Sequence, residues 1–345
     1  MTPVTPELHV RPYAPADRSP LLDLMRQVWP HKAEVAQEVN RRWWWRQPEP
    51  PLCVVDDPEG RRLVGLCAYM PFTLRARGQD LPSAWFVDFY VLPDFQGHGL
   101  GKRLTTWVEE RFAVTASLSQ TEMAYRVFKK LGWHERRGVT LYVNPWPLRR
   151  LLVKPARGLQ FSSCTIDHGL SVAADLDSLW SRLRDAYPSI ARRSSADLVQ
   201  RYAPREGRRY QLVCAYRGRD CVGFLISRMV ESASDTAPGT QGLVVDYLVG
   251  PGDADVFVGL LGAAANWLLE GGAKRIACLS TVPAFERVLR GAGFFAPNTP
   301  LIGRAFRHNT KWLTYHSKVD PSLVDPSGWY LTLGDCDLDE VWYQR

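Results

Sequence analysis

Hydrophobic and polar positions in the first part of the chain follow two periods, that of strands and that of helices. Residues 8–13 alternate like a short strand, and apolar residues within 21–28 share one face of a helix. Residues 85–92 combine aromatic and branched side chains, which is typical of a strand. Further strands are predicted over 52–55, 62–76, 113–118 and 139–143, and further helices from 102 onward and over 121–131. The predicted order is therefore β–α–β–β–β–α–β–α–β.

The second half of the chain repeats this pattern more weakly. Its predicted elements are a helix over 176–186, strands over 210–215, 221–230, 242–249 and 275–279, and a helix over 254–269. A repeat of this length indicates a duplicated domain rather than a solenoid. We therefore predict two domains, 1–150 and 160–345, joined by a proline- and arginine-bearing connector over 145–155. The expected fold class is α+β (α/β), in which each domain is a mixed, mostly antiparallel sheet flanked by helices.

Composition excludes several classes of protein. With 46% hydrophobic and 23% charged residues, the chain suits a globular protein with two cores. No apolar run approaches the ~20 residues that span a bilayer, and the N-terminal sequence lacks the pattern of a secretion signal. The seven cysteines are scattered without a Cys-x-x-Cys pair, so buried thiols in a reducing cytoplasm are expected rather than disulfides or zinc.

The formal net charge of +7 indicates which partners are compatible with the surface. A basic surface suits a polyanionic cofactor, an acidic or phosphorylated acceptor, or nucleic acid, although arginine-rich surfaces also occur without any such role. No nucleic-acid-binding motif accompanies the charge, so DNA binding is not expected. The predicted partners are therefore small molecules, without DNA or a membrane, and the sequence leaves the oligomeric state open.

A glycine-rich turn stands between the strand over 85–92 and the helix that follows it. The turn reads Gln-Gly-His-Gly-Leu-Gly over 96–101. Such a turn directs unpaired backbone N–H groups and the positive end of a helix dipole at one point, where phosphate oxygens bind. It is not a P-loop, which requires Gly-Lys-Ser/Thr, because Arg103 follows Lys102. The glycine spacing is also wrong for a dinucleotide fold. An ordinary strand–helix turn is the alternative.

Two motifs and the predicted order resemble the GNAT (GCN5-related N-acetyltransferase) superfamily. The spacing Gln-x-x-Gly-x-Gly over 96–101 resembles the pyrophosphate-binding motif of that family. The segment TEMAYRVFKKLGW over 121–133 resembles its second signature helix, and the opening VRPYAPADRSPLLDLM is similar to its first strand and helix. The resemblance covers residues 8–145. The ending WYLTLGDCDLDE resembles a group of bacterial tandem GNAT proteins associated with polysaccharide biosynthesis.

The resemblance implies transfer of an acetyl or similar acyl group from acyl-CoA to a primary amine, without a metal. The favoured acceptor is an amino sugar or a sugar nucleotide. The backbone of Val91 and Leu92 is expected to pair with the pantetheine arm, and Lys102 is expected to add positive charge near the pyrophosphate. The residues expected to hold the pyrophosphate through their N–H groups are Gln96, Gly97, His98, Gly99, Leu100 and Gly101.

Two side chains are candidates for proton transfer. Asp88 is expected to alternate onto the side of Phe86 and Tyr90, where it could accept the proton of the attacking ammonium, or else be a structural carboxylate. The family often has a tyrosine that protonates the departing thiolate where this chain has Phe128. Tyr125, one turn earlier, is the candidate substitute, although a thiolate of pKa about 8.5 also leaves without an acid.

The second half lacks the glycine loop and is not expected to bind CoA. Pro251 removes a donor, and Asp253 and Asp255 would repel phosphates. The acidic tail could bind a metal, but a solvated turn is the favoured interpretation; its carboxylates are Asp335, Asp337, Asp339 and Glu340. The neighbouring tryptophans Trp43, Trp44 and Trp45 are interpreted mainly as core residues, with a wall of the acceptor site as the alternative.

Two other functions remain open from the sequence. One is a catalytically inactive CoA-binding or scaffold protein, which Phe128 and the degenerate second half favour. The other is an aminoacyl-tRNA-dependent transferase, a similar tandem architecture that would explain the positive charge. The intact turn over 96–101 opposes the scaffold, whereas such transferases do not require a CoA pyrophosphate loop, so tight CoA binding would argue against them.

Overall fold

The structure is a computed structural model, and it describes most but not all of the chain. The described residues are 8–28, 49–57, 59, 62–145, 158–167, 170–205, 208–232, 239–296, 310–320 and 322–339. Three features that the sequence singled out lie outside these ranges. They are the tryptophans Trp43, Trp44 and Trp45, the connector over 145–155 except its first residue, and Glu340.

The described residues form fourteen strands and seven α-helices. The strands are β1 (Val10–Pro12), β2 (Leu52–Asp56), β3 (Leu63–Ala76), β4 (Gln79–Val91), β5 (Val114–Leu118), β6 (His134–Asn144), β7 (Leu159–Thr165), β8 (Ser189–Ala191), β9 (Gln211–Arg217), β10 (Asp220–Ser232), β11 (Gly239–Val249), β12 (Ile276–Ser280), β13 (Thr310–Ser317) and β14 (Trp329–Tyr330). The helices are α1 (Arg18–Val28), α2 (Leu100–Glu109), α3 (Glu122–Lys130), α4 (Ala173–Leu183), α5 (Ser195–Tyr202), α6 (Ala254–Glu270) and α7 (Pro283–Gly291). No described helix combines the length and the apolar character that a membrane span requires.

The chain divides into two compact units, neither of which is one continuous stretch. The first comprises Met1–Thr73, Leu81–Glu135 and Leu313–Asp320. The second comprises Leu74–Asp80, Arg136–Trp312 and Pro321–Arg345. A late segment of the chain thus completes the first unit, which a pattern read along the sequence does not indicate. The division into domains 1–150 and 160–345 stays a prediction.

The first unit is built on a mixed sheet in the order β1-β2-β3-β4-β5-β13. β1 and β2 pair antiparallel, as do β2 and β3, whereas β4 and β5 are parallel because α2 connects them. Strands β2 and β3 begin with continuous buried runs, and α1 buries Leu21, Leu24 and Met25. This burial against helices accounts for the apolar runs in the sequence. The added strand β13 lies antiparallel to β5.

The parallel pair β4–β5 has the feature that positions the site. The two strands pair only over three residues of each, Ser83–Trp85 of β4 and Val114–Ala116 of β5. β4 continues to Val91 and β5 to Leu118, yet no further pairs join them among the described residues. The strands therefore separate toward their carboxyl ends and leave an opening, where α/β proteins commonly bind ligands.

The second unit contains a sheet in the order β6-β12-β11-β10-β9-β7, and β14 pairs in parallel with β8. Within that sheet, β11 and β12 are parallel and again join only three residue pairs, Gly242–Val244 with Ile276–Cys278. Helix α6 buries nine of its residues, which explains its nearly continuous apolar sequence. The expected fold class, mixed sheets flanked by helices, is confirmed.

Candidate active site

The glycine-rich turn has the backbone conformation that its sequence requires. Gly97 has φ +82° and Gly99, the residue before α2, has φ +76°. In this left-handed region, an L side chain costs about 1–2 kcal/mol. A β-carbon on either glycine would meet no atom within 4 Å, so both face open space. Gly101 differs, because a β-carbon there would lie 3.5 Å from the side chains of Phe89 and Val127, which is ordinary van der Waals contact.

Several N–H groups of this turn are available to a ligand. Among the described residues, the N–H groups of Gly97, His98 and Gly99 donate no backbone hydrogen bond, whereas the N–H of Gln96 donates to Pro93 O at 3.1 Å. The first N–H groups of α2, beginning at Leu100, have no partner within the helix. Together with the helix dipole they form a site suited to an anion. His98 and Lys102 are exposed beside it.

The side chain of Gln96 holds the turn in place. Its Nε2 donates to the carbonyl of Val91 at 2.9 Å. The glutamine of the motif therefore connects the turn to the end of β4. Because its amide group is used in this bond, it would assist anion binding by holding the turn in position. A long side chain is needed at this position, since the hydrogen bond reaches back to a carbonyl five residues earlier in the chain.

The backbone at the end of β4 is partly committed to protein partners. The N–H of Leu92 donates to Val64 O at 2.9 Å, and its carbonyl accepts from Phe95 N at 2.9 Å. Leu92 therefore has no free donor for a pantetheine arm. A pantetheine arm would therefore have to pair with residues of β4 that precede Leu92, in the part of the strand that does not pair with β5.

Asp88 lies half-buried in the separated part of β4. Burial raises the pKa of the neighbouring Cys67 thiol well above its usual value, and the Asp88 carboxylate adds to this effect. Phe86 and Phe89 of the same strand both contact Phe128, at ring-centroid distances of 5.4 and 6.0 Å. Regular alternation would send these two rings to opposite faces of the strand. Strict alternation is therefore not followed between Phe86 and Phe89, and the side of β4 that Asp88 occupies stays a prediction.

Phe128 belongs to a buried aromatic cluster. It stacks on Trp133 at a centroid distance of 4.2 Å, and it is 1% exposed. Phe86 contacts both rings, and the indole N–H of Trp133 donates to Glu109 Oε1 at 2.6 Å. Phe128 thus fixes α3 against β4 and cannot supply a proton.

Tyr125, the candidate acid, already has a partner. Its hydroxyl donates to Glu135 Oε2 at 2.6 Å. To protonate a thiolate, this hydroxyl would have to exchange Glu135 for the sulfur. The position of Glu135, ten residues later and beyond the glycine that ends α3, gave no signal in the sequence.

One polar residue near the opening was missed by the sequence analysis. Gln120 follows the end of β5, and both polar atoms of its carboxamide are buried without a hydrogen-bond partner among the described residues. The preceding Ser119 has φ +66°, which is uncommon for a non-glycine residue. Strained backbone clusters at functional sites, and a buried polar group without a protein partner is commonly satisfied by water or a ligand. Glutamine after an apolar strand has no distinctive spacing, so no sequence signal identified it.

The second unit has a different arrangement at the corresponding turn. Asp253 precedes α6 and Asp255 lies in its first turn, so carboxylates occupy the helix end that would attract an anion. Arg217 pairs with them at 3.7 and 3.6 Å. Carboxylates at this helix end disfavour a phosphate there, and the absence of CoA binding by the second half stays a prediction.

The prediction of a solvated acidic tail is wrong. Asp335, Asp337 and Asp339 are only 4%, 8% and 1% exposed. Asp335 pairs with Arg193 at 2.7 Å, and Asp339 accepts from the Tyr210 hydroxyl at 2.8 Å. These carboxylates are buried because distant arginines and hydroxyls neutralise and solvate them. No metal-ligand cluster occurs within the part of the chain that the structure describes.

Comparison with known proteins identifies the class of the first part of the chain. Residues 18–133 match the family model described as the acetyltransferase (GNAT) family. This stretch, which includes the glycine turn and α3, therefore belongs to the GNAT superfamily. None of the curated proteins matches the sequence significantly.

Solved structures extend the likeness of fold over most of the chain. A GCN5-related N-acetyltransferase from Anabaena variabilis is 11% identical, with a TM-score of 0.62 over 90% of this chain and 73% of that one. One from Kribbella flavida is 16% identical, with a TM-score of 0.55 over 89% and 71%. The N-myristoyltransferase of Saccharomyces cerevisiae, solved with myristoyl-CoA, is 10% identical, with a TM-score of 0.57 over 97% and 84%.

Proposed function

We propose that this protein is an acyl-CoA-dependent N-acyltransferase with one acyl-CoA site, in its first unit. The observation that carries the proposal is the turn over 96–101, where two glycines with positive φ leave consecutive N–H groups open at the start of α2. The opening between β4 and β5 begins beside this turn and offers an unpaired strand edge. An anion site next to such an edge suits a cofactor that combines a pyrophosphate with an amide-containing arm.

The reaction is displacement at a thioester. The amine nitrogen attacks the acyl carbon, a C–N bond forms, the C–S bond breaks, and the nitrogen gives up a proton. Holding the two reactants side by side makes the attack effectively unimolecular, which can supply about 7–11 kcal/mol of the barrier. Backbone N–H groups at the β4 edge are suited to stabilising the oxyanion of the tetrahedral intermediate.

Three side chains have proposed roles in this step. Asp88 accepts the proton of the attacking ammonium, directly or through water. Gln120 donates from its carboxamide to an oxygen of the acyl-CoA arm, which would satisfy the buried atoms that lack a partner. Tyr125 is the predicted acid, and to act it would have to give up its hydrogen bond to Glu135 and donate to the thiolate sulfur instead. Without an acid, the CoA thiolate leaves unaided because its pKa is only about 8.5.

The proposed acceptor is a primary amine on an amino sugar or a sugar nucleotide. The net charge of +7 supports an acceptor that carries phosphate. The acyl group is acetyl or a longer chain; the yeast N-myristoyltransferase, whose fold is similar, binds myristoyl-CoA.

Calorimetric titration with acetyl-CoA, and in parallel with myristoyl-CoA, tests the proposal. We expect one site per chain for at least one of the two ligands. Two sites would mean that the second unit binds the cofactor as well. No heat at millimolar ligand would reject the acyl-CoA-dependent enzyme and leave the aminoacyl-tRNA-dependent transferase as the interpretation to test next.

Asp88→Asn is expected to lower turnover while acyl-CoA affinity stays within about threefold. The reason is that loss of a general base costs about 10²–10⁴ in rate, whereas asparagine keeps the size of the side chain. The measurement is thiol release with an amine acceptor found by screening amino sugars, sugar nucleotides, polyamines and peptides. Asp94→Asn, at an exposed position just before the turn, is the matched control. Unchanged turnover in Asp88→Asn would show that Asp88 is a structural carboxylate. If the wild-type protein binds acyl-CoA but acylates none of the amines, the catalytically inactive scaffold protein would be favoured.

A further inference from the structure

The second unit contains an opening like that of the first, but a segment of the chain itself lies in it. In both units the parallel pair that flanks the glycine turn or its counterpart joins only three residue pairs and then separates. Beyond the separated ends of β11 and β12, the segment Trp329–Asp339 crosses from one strand to the other. We refer to residues 329–339 as the tail segment.

Contacts on both strands place the tail segment in the opening. Thr281, which follows β12, donates from its hydroxyl to the carbonyl of Trp329 at 2.6 Å and accepts from the N–H of Leu331 at 2.9 Å. On the other strand, the Tyr330 hydroxyl donates to the carbonyl of Tyr247 in β11 at 2.9 Å. The segment therefore contacts both strands, through hydrogen bonds that each involve a side-chain hydroxyl.

Gly334 shows how closely the tail segment approaches β11. A β-carbon on this glycine would lie 2.1 Å from the hydroxyl of Tyr202 and 3.2 Å from the carbonyl of Val245. It would also lie 3.2 Å from the β-carbon of Asp246. Because the strand backbone cannot move aside easily, only glycine fits at this point.

The charges of the opening and of the tail segment are complementary. Arg193 donates to Asp335 Oδ2 at 2.7 Å and also holds Asp246 of β11 at 2.9 Å. Arg201 and Arg228 approach Asp339 at 3.6 and 3.8 Å. A further hydrogen bond joins the guanidinium of Arg201 to the carbonyl of Cys336. Three arginines thus face a segment that carries three aspartates.

We propose that the second unit is a binding site for an acidic peptide, and that the tail segment is its resident ligand. In this unit the Trp-Tyr-Leu-Thr-Leu-Gly-Asp-Cys-Asp sequence takes the position between separated strands that the acyl-CoA arm takes in the first unit. The comparison with a cofactor cleft rests on the proposed function, whereas the peptide site rests on the contacts above. The second unit then differs from the first in its ligand, which is an acidic peptide instead of an anionic cofactor. The absence of the glycine loop and the presence of the acidic tail segment both follow from that difference.

The test displaces the tail segment in the full-length protein and supplies it again as a peptide. Gly334→Leu cannot seat at β11, whereas Gly252→Leu, at a glycine of the same unit with no atom near its β-carbon position, is the control. We expect hydrogen exchange over 329–339 to become at least 100-fold faster in Gly334→Leu, with β9 and β10 nearly unchanged. A fluorescent peptide of residues 327–339 should bind this variant, but neither the wild-type protein nor Gly252→Leu. The same peptide with the glycine changed to leucine should not bind.

Thr281→Val provides a second, milder variant in case Gly334→Leu does not fold. It keeps the shape of the side chain but removes the hydroxyl that holds Trp329 and Leu331. We expect exchange over 329–332 to become about tenfold faster or more, with the rest of the unit protected. Equal acceleration throughout β9–β11 would show that the segment is an inseparable part of the core, and failure of the peptide to bind a folded Gly334→Leu protein would overturn the proposal. Neither readout uses acyl-CoA, so the result is independent of the first unit.

Discussion

Gly99→Glu is expected to weaken acyl-CoA binding about 100-fold or more, a loss of about 2.7 kcal/mol. Gly99 has φ +76° at the start of α2 and faces open space, so a glutamate side chain would stand beside the open N–H groups. Its carboxylate would compete with the pyrophosphate for these donors and repel it. The measurement is calorimetric titration with the ligand that the wild-type protein binds.

Gly132→Glu is the matched control for backbone strain. Gly132 has φ +79°, is exposed at the end of α3, and likewise has no atom within 4 Å of its β-carbon position. Both variants therefore carry a strain of about 1–2 kcal/mol and the same added charge. We expect Gly132→Glu to bind acyl-CoA within about threefold of the wild type. Equal affinity of the two variants would remove the turn over 96–101 from the site.

Features formed by residues that are adjacent in the chain could be predicted from the sequence. The turn over 96–101 was identified because its glycines, its preceding strand and its following helix are adjacent in the chain, and its backbone has the expected conformation. The order of elements followed from periodicity for the same reason. The roles of individual residues of the turn in holding a pyrophosphate stay predictions.

Interactions between distant residues were not predictable in the same way. Arg193 and Asp335 are 142 residues apart, so nothing in the local pattern distinguishes this buried aspartate from a solvated one. An acidic turn is normally exposed because burying an unpaired charge costs several kcal/mol. The side of β4 on which Asp88 lies stays a prediction, because Phe86 and Phe89 both contact Phe128 and strict alternation along the strand is not followed.

The two proposed sites share one structural feature, a parallel pair of strands that separates. A parallel pair that separates exposes backbone edges, and edges of this kind accept any extended partner that offers donors and acceptors. What selects the partner is the chemistry at the mouth of the opening. Open N–H groups at a helix start suit phosphate in the first unit, whereas buried arginines suit carboxylates in the second.

Arg193→Met is expected to destabilise the second unit by about 3–5 kcal/mol, the cost of removing one partner from a buried ion pair. The Arg193 side chain is 2% exposed, and it lies 2.9 Å from Asp246 and 2.7 Å from Asp335. It also donates to the carbonyl of Ala191 at 2.8 Å and covers the ring of Tyr330 at 5.1 Å. Without it, two buried carboxylates lose their common cation. Native-state hydrogen exchange of β10 and β11 measures the free energy of unfolding of this unit.

Two comparisons separate this charge effect from the loss of side-chain volume. Arg184→Met removes an arginine that is 50% exposed and pairs with Asp185 at 3.5 Å, so its cost should be at most about 1 kcal/mol. Adding Asp246→Asn and Asp335→Asn to Arg193→Met should recover part of the stability, because the carboxylates are then no longer charged. A cost for Arg193→Met no larger than that of Arg184→Met would contradict the central role of Arg193. Recovery in the triple variant would show that Arg193 acts mainly by neutralising the two aspartates, which is the condition for holding an acidic segment in a buried site.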